Sequence, residues 1–502
     1  MNAIECRDLT KYYQGFTLDH ITFSLPSGSI LGLVGENGAG KSTTLNLLMN
    51  ALPRDGGTVC LLGTDNQSPE FLQTKQDIGV VLDEACLPEA VTPMELGRIM
   101  SMTYTRWDEE RYQTYLKRFA LPRTKSFKEL SRGMRMKLAI AAALSHHAKL
   151  LLLDEATSGL DPMVREEVLD AFNEFTREED HTVVFSSHIV SDLEKICDYI
   201  AFLHRGKLVL FEEKDHLLEE YAVVKLSPQQ LAELDDAAIV GKKEGPYGAE
   251  ALVRRKQIPP SLWQNTPAWR MSFSFSPDRK SGGKGPPPVP HSTPLGLKGG
   301  LSMTALLYRT FAINVGSTMP SFVVVLLFCF PLPFPWLDYL SIYTILLATL
   351  PTVFLLQRDR KDRWYELAPT LPISPQAVVG EKYLLTGGYV CLLPLLIANG
   401  QQFFSAHLAP PPMARTILAI SLLLVFSACF LFLVFWLGMR RLVLPYLLLL
   451  FLFLALDVGC SGLTGYPLTF QSVPPLPVLA GAVLLFLLSY RAAVGRYIHR
   501  TW

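Results

Sequence analysis

The sequence contains few cysteines, and none of them has the spacing of a metal-binding pair. Eight cysteines are scattered over 502 residues without a C-x-x-C motif. Neither a zinc site nor a disulfide framework is therefore indicated. The first eight residues also lack the apolar core of a secretory signal. We therefore expect the N-terminal part of the chain to stay in the cytosol.

Charged side chains are sparse in the C-terminal part. From Ser302 onward the chain has 12 basic and 6 acidic residues, out of 46 of each in the whole sequence. The residues before Ser302 therefore hold 34 basic and 40 acidic side chains. Only the charge-poor part has apolar runs of membrane-spanning length. The contrast predicts at least two domains, a soluble domain first and an integral membrane domain after it.

A phosphate-binding loop is predicted near the N-terminus. It fits the pattern G-x-x-x-x-G-K-[ST], with a strand-like apolar run before it and a helix-like run after it. Lys41 would reach the β- and γ-phosphates of a nucleotide, and the Ser42 hydroxyl would ligate Mg²⁺. The predicted ATP-binding loop comprises Gly35, Glu36, Asn37, Gly38, Ala39, Gly40, Lys41, Ser42 and Thr43.

Two carboxylates follow the apolar run 150–153, which is typical of a buried strand. Asp154 would hold Mg²⁺ through water, and Glu155 would polarise an attacking water. Taken alone, such a pair is as typical of a helix N-cap. The neighbouring motifs decide between the two: Leu-Ser-Arg-Gly-Met at 130–134 precedes the pair, Ser-Gly-Leu-Asp at 158–161 follows it, and a strand ending in Ser-Ser-His comes last.

This ordered set of motifs resembles the nucleotide-binding domain of ABC transporters. The resemblance implies an α/β P-loop NTPase fold, in which two such domains pair head to tail around two ATP molecules. It implies that Glu155 is the catalytic carboxylate and that His188 senses the γ-phosphate. Ser131 and Gly133 would approach the γ-phosphate on the partner subunit, and residues 158–161 would lie at the dimer seam.

One aromatic residue and two departures from the family pattern qualify the resemblance. Tyr13 matches the adenine-stacking aromatic, although a packed strand tyrosine fits that position equally well. The family signature Leu-Ser-Gly-Gly-Gln has Arg132 and Met134 in place of its first glycine and its glutamine. Asp83 stands where the family has a glutamine, and a carboxylate can still bind Mg²⁺. The predicted metal ligands are Ser42, Asp83 and Asp154.

The chain is divided by these patterns into four predicted parts. Residues 1–222 are the ABC nucleotide-binding domain, and 223–257 are a small α+β accessory tail. Residues 258–302 are rich in proline and glycine, which is typical of a linker. Residues 303–502 are an all-α transmembrane permease domain of six helices. A natural fusion of two formerly separate subunits and a reading-frame error are both compatible with the linker.

Six membrane spans are predicted from apolar length and flanking charge. Basic clusters at 358–363, 440–441 and 491–500 then fall on one side, which the positive-inside rule makes cytoplasmic. Residues 303–315 are expected to form an amphipathic interfacial segment with Arg309 on its polar side. The predicted spans are 317–334, 339–356, 383–398, 416–437, 442–456 and 473–490.

The segment 363–383 resembles the first cytoplasmic loop of type-2 ABC exporter permeases, in which a short helix touches the ATPase. The alternative is a basic loop that only anchors the topology. Residues 78–84 and 130–138 further resemble bacterial exporters of phenol-soluble modulins, which are amphipathic peptides.

These features together predict an ATP-hydrolysing exporter half-transporter in the cell membrane, with its ATP-binding domain in the cytoplasm. It would use ATP and Mg²⁺ and act as a homodimer, or as a heterodimer with a second half-transporter. Few intramembrane charges favour an amphipathic peptide or lipophilic compound as substrate. A sensor or immunity complex that moves little substrate stays open. A soluble P-loop ATPase acting on nucleic acid is disfavoured by the spans, so no nucleic-acid partner is expected.

Overall fold

The computed structural model divides into two compact units. The first consists of residues 1–85, 104–125 and 129–297, and the second of residues 86–103, 126–128 and 298–502. Within them the structure describes residues 1–83, 86–187, 189–226, 239–245, 248–254, 303–310, 355–404, 413–437 and 474–498.

All strands of the described residues belong to the first unit. They are β1 (Asn2–Tyr13), β2 (Phe16–Pro26), β3 (Ile30–Val34), β4 (Gly56–Leu61), β5 (Thr64–Asp65), β6 (Ile78–Val81), β7 (Leu150–Asp154), β8 (Thr182–Ser186), β9 (Tyr199–His204), β10 (Lys207–Glu213), β11 (Tyr221–Leu226), β12 (Ile239–Gly245) and β13 (Gly248–Arg254). They form a four-stranded sheet in the order β2-β1-β4-β5, a six-stranded sheet β10-β9-β3-β8-β7-β6 and a three-stranded sheet β11-β13-β12.

The helices begin and end as follows. They are α1 (Lys41–Leu48), α2 (Phe71–Thr74), α3 (Pro93–Thr103), α4 (Glu109–Arg118), α5 (Arg132–Leu144), α6 (Pro162–Phe175), α7 (Val190–Ile196), α8 (Lys214–Glu220), α9 (Trp364–Leu367), α10 (Pro375–Phe404), α11 (Met413–Leu437) and α12 (Pro475–Ile498). Residues 303–310 and 355–361 are also helical.

The six-stranded sheet positions the site. β3, β7 and β8 are buried along their whole length, which is why each reads as an almost continuous apolar run. β3 pairs in parallel with β8 and β9, and β7 pairs in parallel with β6 and β8. The carboxyl ends of these strands therefore meet at one edge of the sheet, where ligands of α/β proteins bind.

The apolar run before the phosphate loop, the run 150–153 and the strand ending in Ser-Ser-His correspond to β3, β7 and β8. The apolar pattern of residues 21–25 alone indicates a shorter strand than β2, which starts at Phe16, where it pairs with Tyr13 at the end of β1. The first residues of β2 are only partly buried and do not alternate cleanly. The hydrogen-bonded register with β1 extends the strand, and that register is not visible in the hydropathy pattern.

The second unit contains the long apolar helices. α10, α11 and α12 contact one another. Among the described residues, one stretch, Pro475–Tyr497, is long and apolar enough to cross a membrane, and Leu423–Trp436 is a shorter apolar stretch. The predicted spans 383–398 and 416–437 fall on α10 and α11.

Three other predictions about the membrane domain lie wholly or almost wholly outside the described residues. They are the spans 317–334, 339–356 and 442–456. The linker 258–302 also lies outside them. The count of six spans therefore stays a prediction.

A buried histidine supports the strand that leads toward the site. The ring of His146 stacks on Tyr104 with 3.8 Å between centroids. Its Nε2 lies 3.3 Å from the carbonyl oxygen of Ile78 at the start of β6, and its Nδ1 lies 3.4 Å from that of Ala142. Burial lowers the pKa of His146 to about 4, although the two carbonyls act in the opposite direction. The ring is therefore neutral near neutral pH.

We expect acid to destabilise the first unit through His146. Between its ordinary pKa of 6.5 and the folded value of about 4, the unfolded chain binds a proton that the folded chain excludes. The free energy of unfolding therefore falls as the pH falls through this window, by up to about 3 kcal/mol. Thermal unfolding of the full chain, measured from about pH 7 to about pH 5, should show this loss. His146→Phe should flatten the slope, and an equal slope in both proteins would contradict the assignment.

Candidate functional site

The predicted phosphate loop forms one wall of a pocket in the first unit. Gly40 has a φ of 110°, in the left-handed region that favours glycine, and α1 begins at the next residue. The amide groups of the first turn of α1 therefore face the pocket, which favours bound anions. The pocket has a volume of about 660 Å³ and is lined by Phe16, Asn37, Gly38, Gly40, Lys41, Ser42, Thr43, Asp83, Glu155 and Ser158.

Lys41 brings a buried positive charge to this pocket. Its side chain is only 5% exposed. The ammonium donates hydrogen bonds to the carbonyl oxygens of Gly35 at 2.8 Å and Glu36 at 3.2 Å. It also lies 3.6 Å from Oε1 of Glu155. A buried ammonium needs such partners, and the same position lets it meet the negative charge of a phosphate.

Ser186 holds the carboxylate of Asp154 and the backbone of Glu155 at the end of β7. Asp154 lies opposite Ser186 in the parallel pairing of β7 with β8. The Ser186 hydroxyl donates to Oδ1 of Asp154 at 2.7 Å and accepts from the Glu155 amide at 2.9 Å. Glu155 has a φ of 50°, which is uncommon for a residue other than glycine. The hydroxyl therefore stabilises both the orientation of Asp154 and the unusual backbone of Glu155.

The electrostatics of Asp154 fit a divalent cation. Burial raises its pKa, hydrogen bonds from Ser186 and Ser42 oppose this shift, and the nearby carboxylates of Asp83 and Glu155 add to it. A cation among these groups would relieve the repulsion between the carboxylates. Their oxygen atoms and the Ser42 hydroxyl are the ligands that Mg²⁺ prefers. The predicted metal ligands therefore suit this ion.

The structure brings most of the predicted site residues to one place. The predicted residues that line the pocket are Asn37, Gly38, Gly40, Lys41, Ser42, Thr43, Asp83 and Glu155. Gly35, Glu36, Ala39 and Asp154 belong to the same loop and strand end without lining it. Their roles in binding and catalysis stay predictions.

The other predicted site residues lie elsewhere in the structure. Tyr13 is 39% exposed at the end of β1 and does not line the pocket. Ser131 and Gly133 flank the start of α5, likewise outside the pocket lining. His188 lies outside the described residues.

Two residues that sequence reasoning missed belong to this site. Phe16 lines the pocket, and its ring centroid lies 6.2 Å from that of Tyr13 across the β1–β2 turn. Phe16 is therefore a second candidate for stacking on an adenine ring. Ser186 lies one strand away from Asp154. The sequence signal that could have indicated Ser186 is the polar end of its strand, which reads Ser-Ser-His.

A second group of contacts lies within the second unit, where the segment 86–103 meets the loop after residues 355–361. Lys361 Nζ lies 2.7 Å from Oε2 of Glu89, and the Glu89 amide lies 3.4 Å from Oδ1 of Asp362. The thiol of Cys86 lies 3.9 Å from Oε2 of Glu366. Glu366, in the segment 363–383 that resembles an exporter coupling loop, therefore contacts Cys86, and Lys361 and Asp362 directly before that segment contact Glu89.

Beneath this loop lies a buried charge ring formed by Arg309, Thr310, Asp359, Glu381 and Lys382. Oδ1 of Asp359 accepts a hydrogen bond from Arg309 at 2.8 Å, and Oδ2 of Asp359 forms an ion pair with Lys382 Nζ at 2.6 Å. Lys382 also lies 3.0 Å from Glu381, which accepts from the Thr310 hydroxyl. The four charged side chains are at most 1% exposed. Their charges cancel, so each ion has a partner of opposite sign.

The position of Arg309 in the buried charge ring differs from the expectation that this residue lies on the polar side of an interfacial segment. That expectation is wrong, because Arg309 is buried and its guanidinium lies 3.7 Å from the centroid of the Trp364 ring in α9. Burial alone would raise the pKa of Asp359, but the charges of Lys382 and Arg309 lower it below the ordinary value. Asp359 therefore stays ionised and keeps both cations paired.

Comparisons with known proteins agree with this geometry. The family model described as ABC transporter matches residues 18–158, and the model described as ABC-2 family transporter protein matches residues 306–495. The chain is 34% identical to the bacitracin transport ATP-binding protein BcrA of Enterococcus faecalis, covering 41% of this chain and 68% of that protein. It is 30% identical to the lantibiotic transport ATP-binding protein SrtF of Streptococcus pyogenes, over 42% and 91%. The ABC transporter ATP-binding protein YtrB of Bacillus subtilis is 28% identical, over 53% and 94%.

The chain belongs to the ABC transporter family. It joins an ATP-binding cassette with the α/β P-loop NTPase fold to a permease domain of the ABC-2 type. Cassettes of this family are ATPases, so the first unit is an ATPase. The permease domain implies association with a membrane.

Three substitutions separate ATP binding from hydrolysis. Lys41→Ala should weaken ATP binding, because it removes the cation that faces the phosphates. Glu155→Gln should keep binding and stall hydrolysis. Ser186→Ala should leave ATP affinity nearly unchanged and lower the turnover rate by up to about thirtyfold, because it removes two hydrogen bonds worth about 1 kcal/mol each. Binding of a fluorescent ATP analogue and phosphate release, measured on the reconstituted full chain, test all three.

Ser145→Ala is the matched control for the serine substitution. Ser145 is also buried and bonds to a backbone carbonyl, that of Ala141, but it does not line the pocket. It should keep the native turnover rate. If Lys41→Ala and Glu155→Gln lost the same amount of ATP affinity, the roles assigned to them would be wrong.

Proposed function

We propose that this chain is half of an ATP-driven exporter that moves amphipathic peptides or lipophilic compounds out of the cell. The observation that carries the proposal is the contact between Glu89 and Lys361. Asp83 lines the nucleotide pocket, and the segment that begins at Cys86 touches the permease loop. The chain thereby provides a short covalent path from the ATP site to the membrane domain.

Hydrolysis is assigned to the residues around the pocket. Lys41 holds the β- and γ-phosphates, and Glu155 orients and polarises the attacking water. Ser42, Asp83 and Asp154 would hold Mg²⁺, which neutralises charge on the transferred phosphoryl group. His188 is proposed to sense the γ-phosphate, as its position in the motif order implies. Phe16 and Tyr13 together offer aromatic surface for the adenine.

The active form is proposed to be a dimer, with a second copy of this chain or with another half-transporter. Ser131 and Gly133 do not line the pocket of their own chain. In the head-to-tail arrangement that the family resemblance implies, they reach the γ-phosphate on the partner subunit. Each pocket is then complete only in the assembled pair.

The substrate class rests on two arguments. The names of BcrA and SrtF associate those relatives with bacitracin and lantibiotic transport, and the resemblance to modulin exporters points to amphipathic peptides as well. The apolar parts of α11 and α12 also carry few charges: 416–437 and 475–490 contain no Asp, Glu, Lys or Arg. Such surfaces suit apolar faces better than ions or sugars.

The contact between Glu89 and Lys361 should be needed for coupling. Lys361→Glu places three carboxylates together, since Asp362 lies beside the pair. We expect ATP turnover without substrate to persist and stimulation by substrate to be lost. The double variant Glu89→Lys with Lys361→Glu should restore stimulation, because it restores opposite charges. Both side chains are partly exposed, so the effect on stability should stay below about 1 kcal/mol.

Lys207→Glu is the matched control, since it reverses an exposed charge that pairs with Asp19 at 3.3 Å in the first unit. It should keep full stimulation. Loss of stimulation in this control as well, or no recovery in the double variant, would exclude the Glu89–Lys361 contact as the coupling contact.

The substrate proposal is tested with paired peptides. A short amphipathic helical peptide should stimulate ATP turnover in liposomes and enter inverted vesicles in the presence of ATP. A scrambled peptide of equal composition should do so less, because it lacks an apolar face. The Glu155→Gln chain serves as the control without hydrolysis. Equal responses to both peptides would remove the peptide assignment, and stimulation without uptake would favour a sensor.

A further inference from the structure

A histidine and two carboxylates meet in the turn between α6 and β8 of the first unit. Nε2 of His181 lies 3.4 Å from Oε2 of Glu178 and 4.0 Å from Oδ1 of Asp180. One possible ligand atom from each of the three residues lies within 4.8 Å of the others. The His181 amide donates to the carbonyl oxygen of Glu178 at 3.0 Å. This backbone hydrogen bond closes the turn and keeps the three side chains close together.

The imidazole of His181 is held in one orientation. Its side chain is only 9% exposed, and its ring stacks on that of Phe175 with 4.4 Å between centroids. Nδ1 lies 3.0 Å from the carbonyl oxygen of Phe175, the last residue of α6. Since a carbonyl oxygen only accepts, Nδ1 carries the proton in this hydrogen bond. In the neutral ring, Nε2 therefore presents its lone pair to the two carboxylates.

A lone pair beside two carboxylates is unfavourable unless a positive charge lies between them. A proton on Nε2 and a metal ion are the two ways to supply that charge. The surroundings favour a metal ion, because histidines that bind metals usually donate their other ring N–H to a backbone carbonyl or a carboxylate. The last carbonyls of α6 add the negative end of a helix dipole, which also favours a cation.

The two carboxylates differ in how they are held. Lys149 Nζ pairs with Oδ2 of Asp180 at 2.7 Å, while Oδ1 is the oxygen nearer to His181. The side chains of Glu178 and Asp180 are 68% and 54% exposed. They can therefore rotate by the small amount that brings their oxygens to about 2.0–2.2 Å from a shared ion.

We propose that Glu178, Asp180 and His181 bind a divalent transition-metal ion, with Zn²⁺ as the probe. One imidazole nitrogen and two carboxylate oxygens are ligands that Zn²⁺ accepts, and water would complete a tetrahedral site. Mg²⁺ and Ca²⁺ prefer oxygen ligands and should bind poorly. None of the three residues lines the nucleotide pocket. The site is therefore separate from the proposed Mg²⁺ ligands and goes beyond the proposed exporter function.

A bound ion would join the end of α6 to the start of β8. His181 directly precedes Thr182, the first residue of β8. The Thr182 amide donates to the carbonyl oxygen of Lys149 at 2.8 Å, and its hydroxyl accepts from the Gly28 amide at 3.0 Å. Because the ion binds the folded turn, Zn²⁺ should raise the unfolding temperature of the chain.

The test is Zn²⁺ titration of the purified full chain by calorimetry, with excess Mg²⁺ present so that oxygen-only sites are occupied. The native chain should bind a Zn²⁺ equivalent that Mg²⁺ does not displace. Glu178→Gln, Asp180→Asn and His181→Gln should each weaken its affinity by at least about tenfold, the lower end of the loss caused by removing an outer partner of a ligand. The two carboxylate variants change exposed groups, so their folding should be preserved. Thermal unfolding with and without Zn²⁺ should show the rise in the native chain and not in the variants.

His216→Gln is the matched control. His216 is exposed and its Nδ1 lies 3.4 Å from Oε2 of Glu212, but this pair does not belong to the three-residue cluster. The control should keep the native Zn²⁺ affinity. Equal affinity in the native chain and both carboxylate variants, or no Zn²⁺ binding in the presence of Mg²⁺, would overturn the proposal. The cluster would then be an imidazolium paired with two carboxylates.

Discussion

Two hydrogen bonds made by the Ser186 hydroxyl determine how the ATP site is built. They join β8 to the end of β7 and hold Asp154 and the backbone of Glu155 at once. The strands are buried along their whole length, so the anchor itself moves little. Glu155 can therefore keep its unusual φ and place its carboxylate 3.6 Å from Lys41. The placement of Asp154 and Glu155 beside the phosphate loop depends on this cross-strand contact.

The two groups of charged residues in the second unit differ in their exposure to water, and therefore in what their pairing contributes to stability. Lys361 and Glu89 are exposed, so water screens them and their pairing adds little to stability. What matters for this pair is the sign of the charge that each of the two segments presents to the other. The buried charge ring is different, because its ions lie in a low-dielectric environment and each must be paired. The exposed pair of Lys361 and Glu89 suits a contact that forms and breaks. The buried charge ring suits a rigid base for α9.

The parts of the site that could be predicted are those encoded by local spacing. The phosphate loop follows from four fixed positions, Gly35, Gly40, Lys41 and Ser42. Asp154 follows from an apolar run that ends in an acid. Phe16 and Ser186 could not be predicted, because strand register places them. Arg309 is expected on the polar side of an interfacial segment because a hydropathy pattern considers each arginine by itself. Its partner Asp359 lies 50 residues away, so the ion pair is not visible in the local sequence. For the fold, buried parallel strands were readable as apolar runs, while the start of β2 depended on pairing with β1.

The buried charge ring also constrains how this protein can change over generations. Replacing any one of its four ions by a neutral residue leaves the ring with a net buried charge, at a cost of several kcal/mol. That cost is comparable to the stability margin of many domains. Single substitutions that change the charge are therefore unfavourable at these positions, whereas paired substitutions that keep the charges balanced can be tolerated. The positions are Arg309, Asp359, Glu381 and Lys382. The order in which substitutions arise should matter, and these positions should vary together among descendants of this chain.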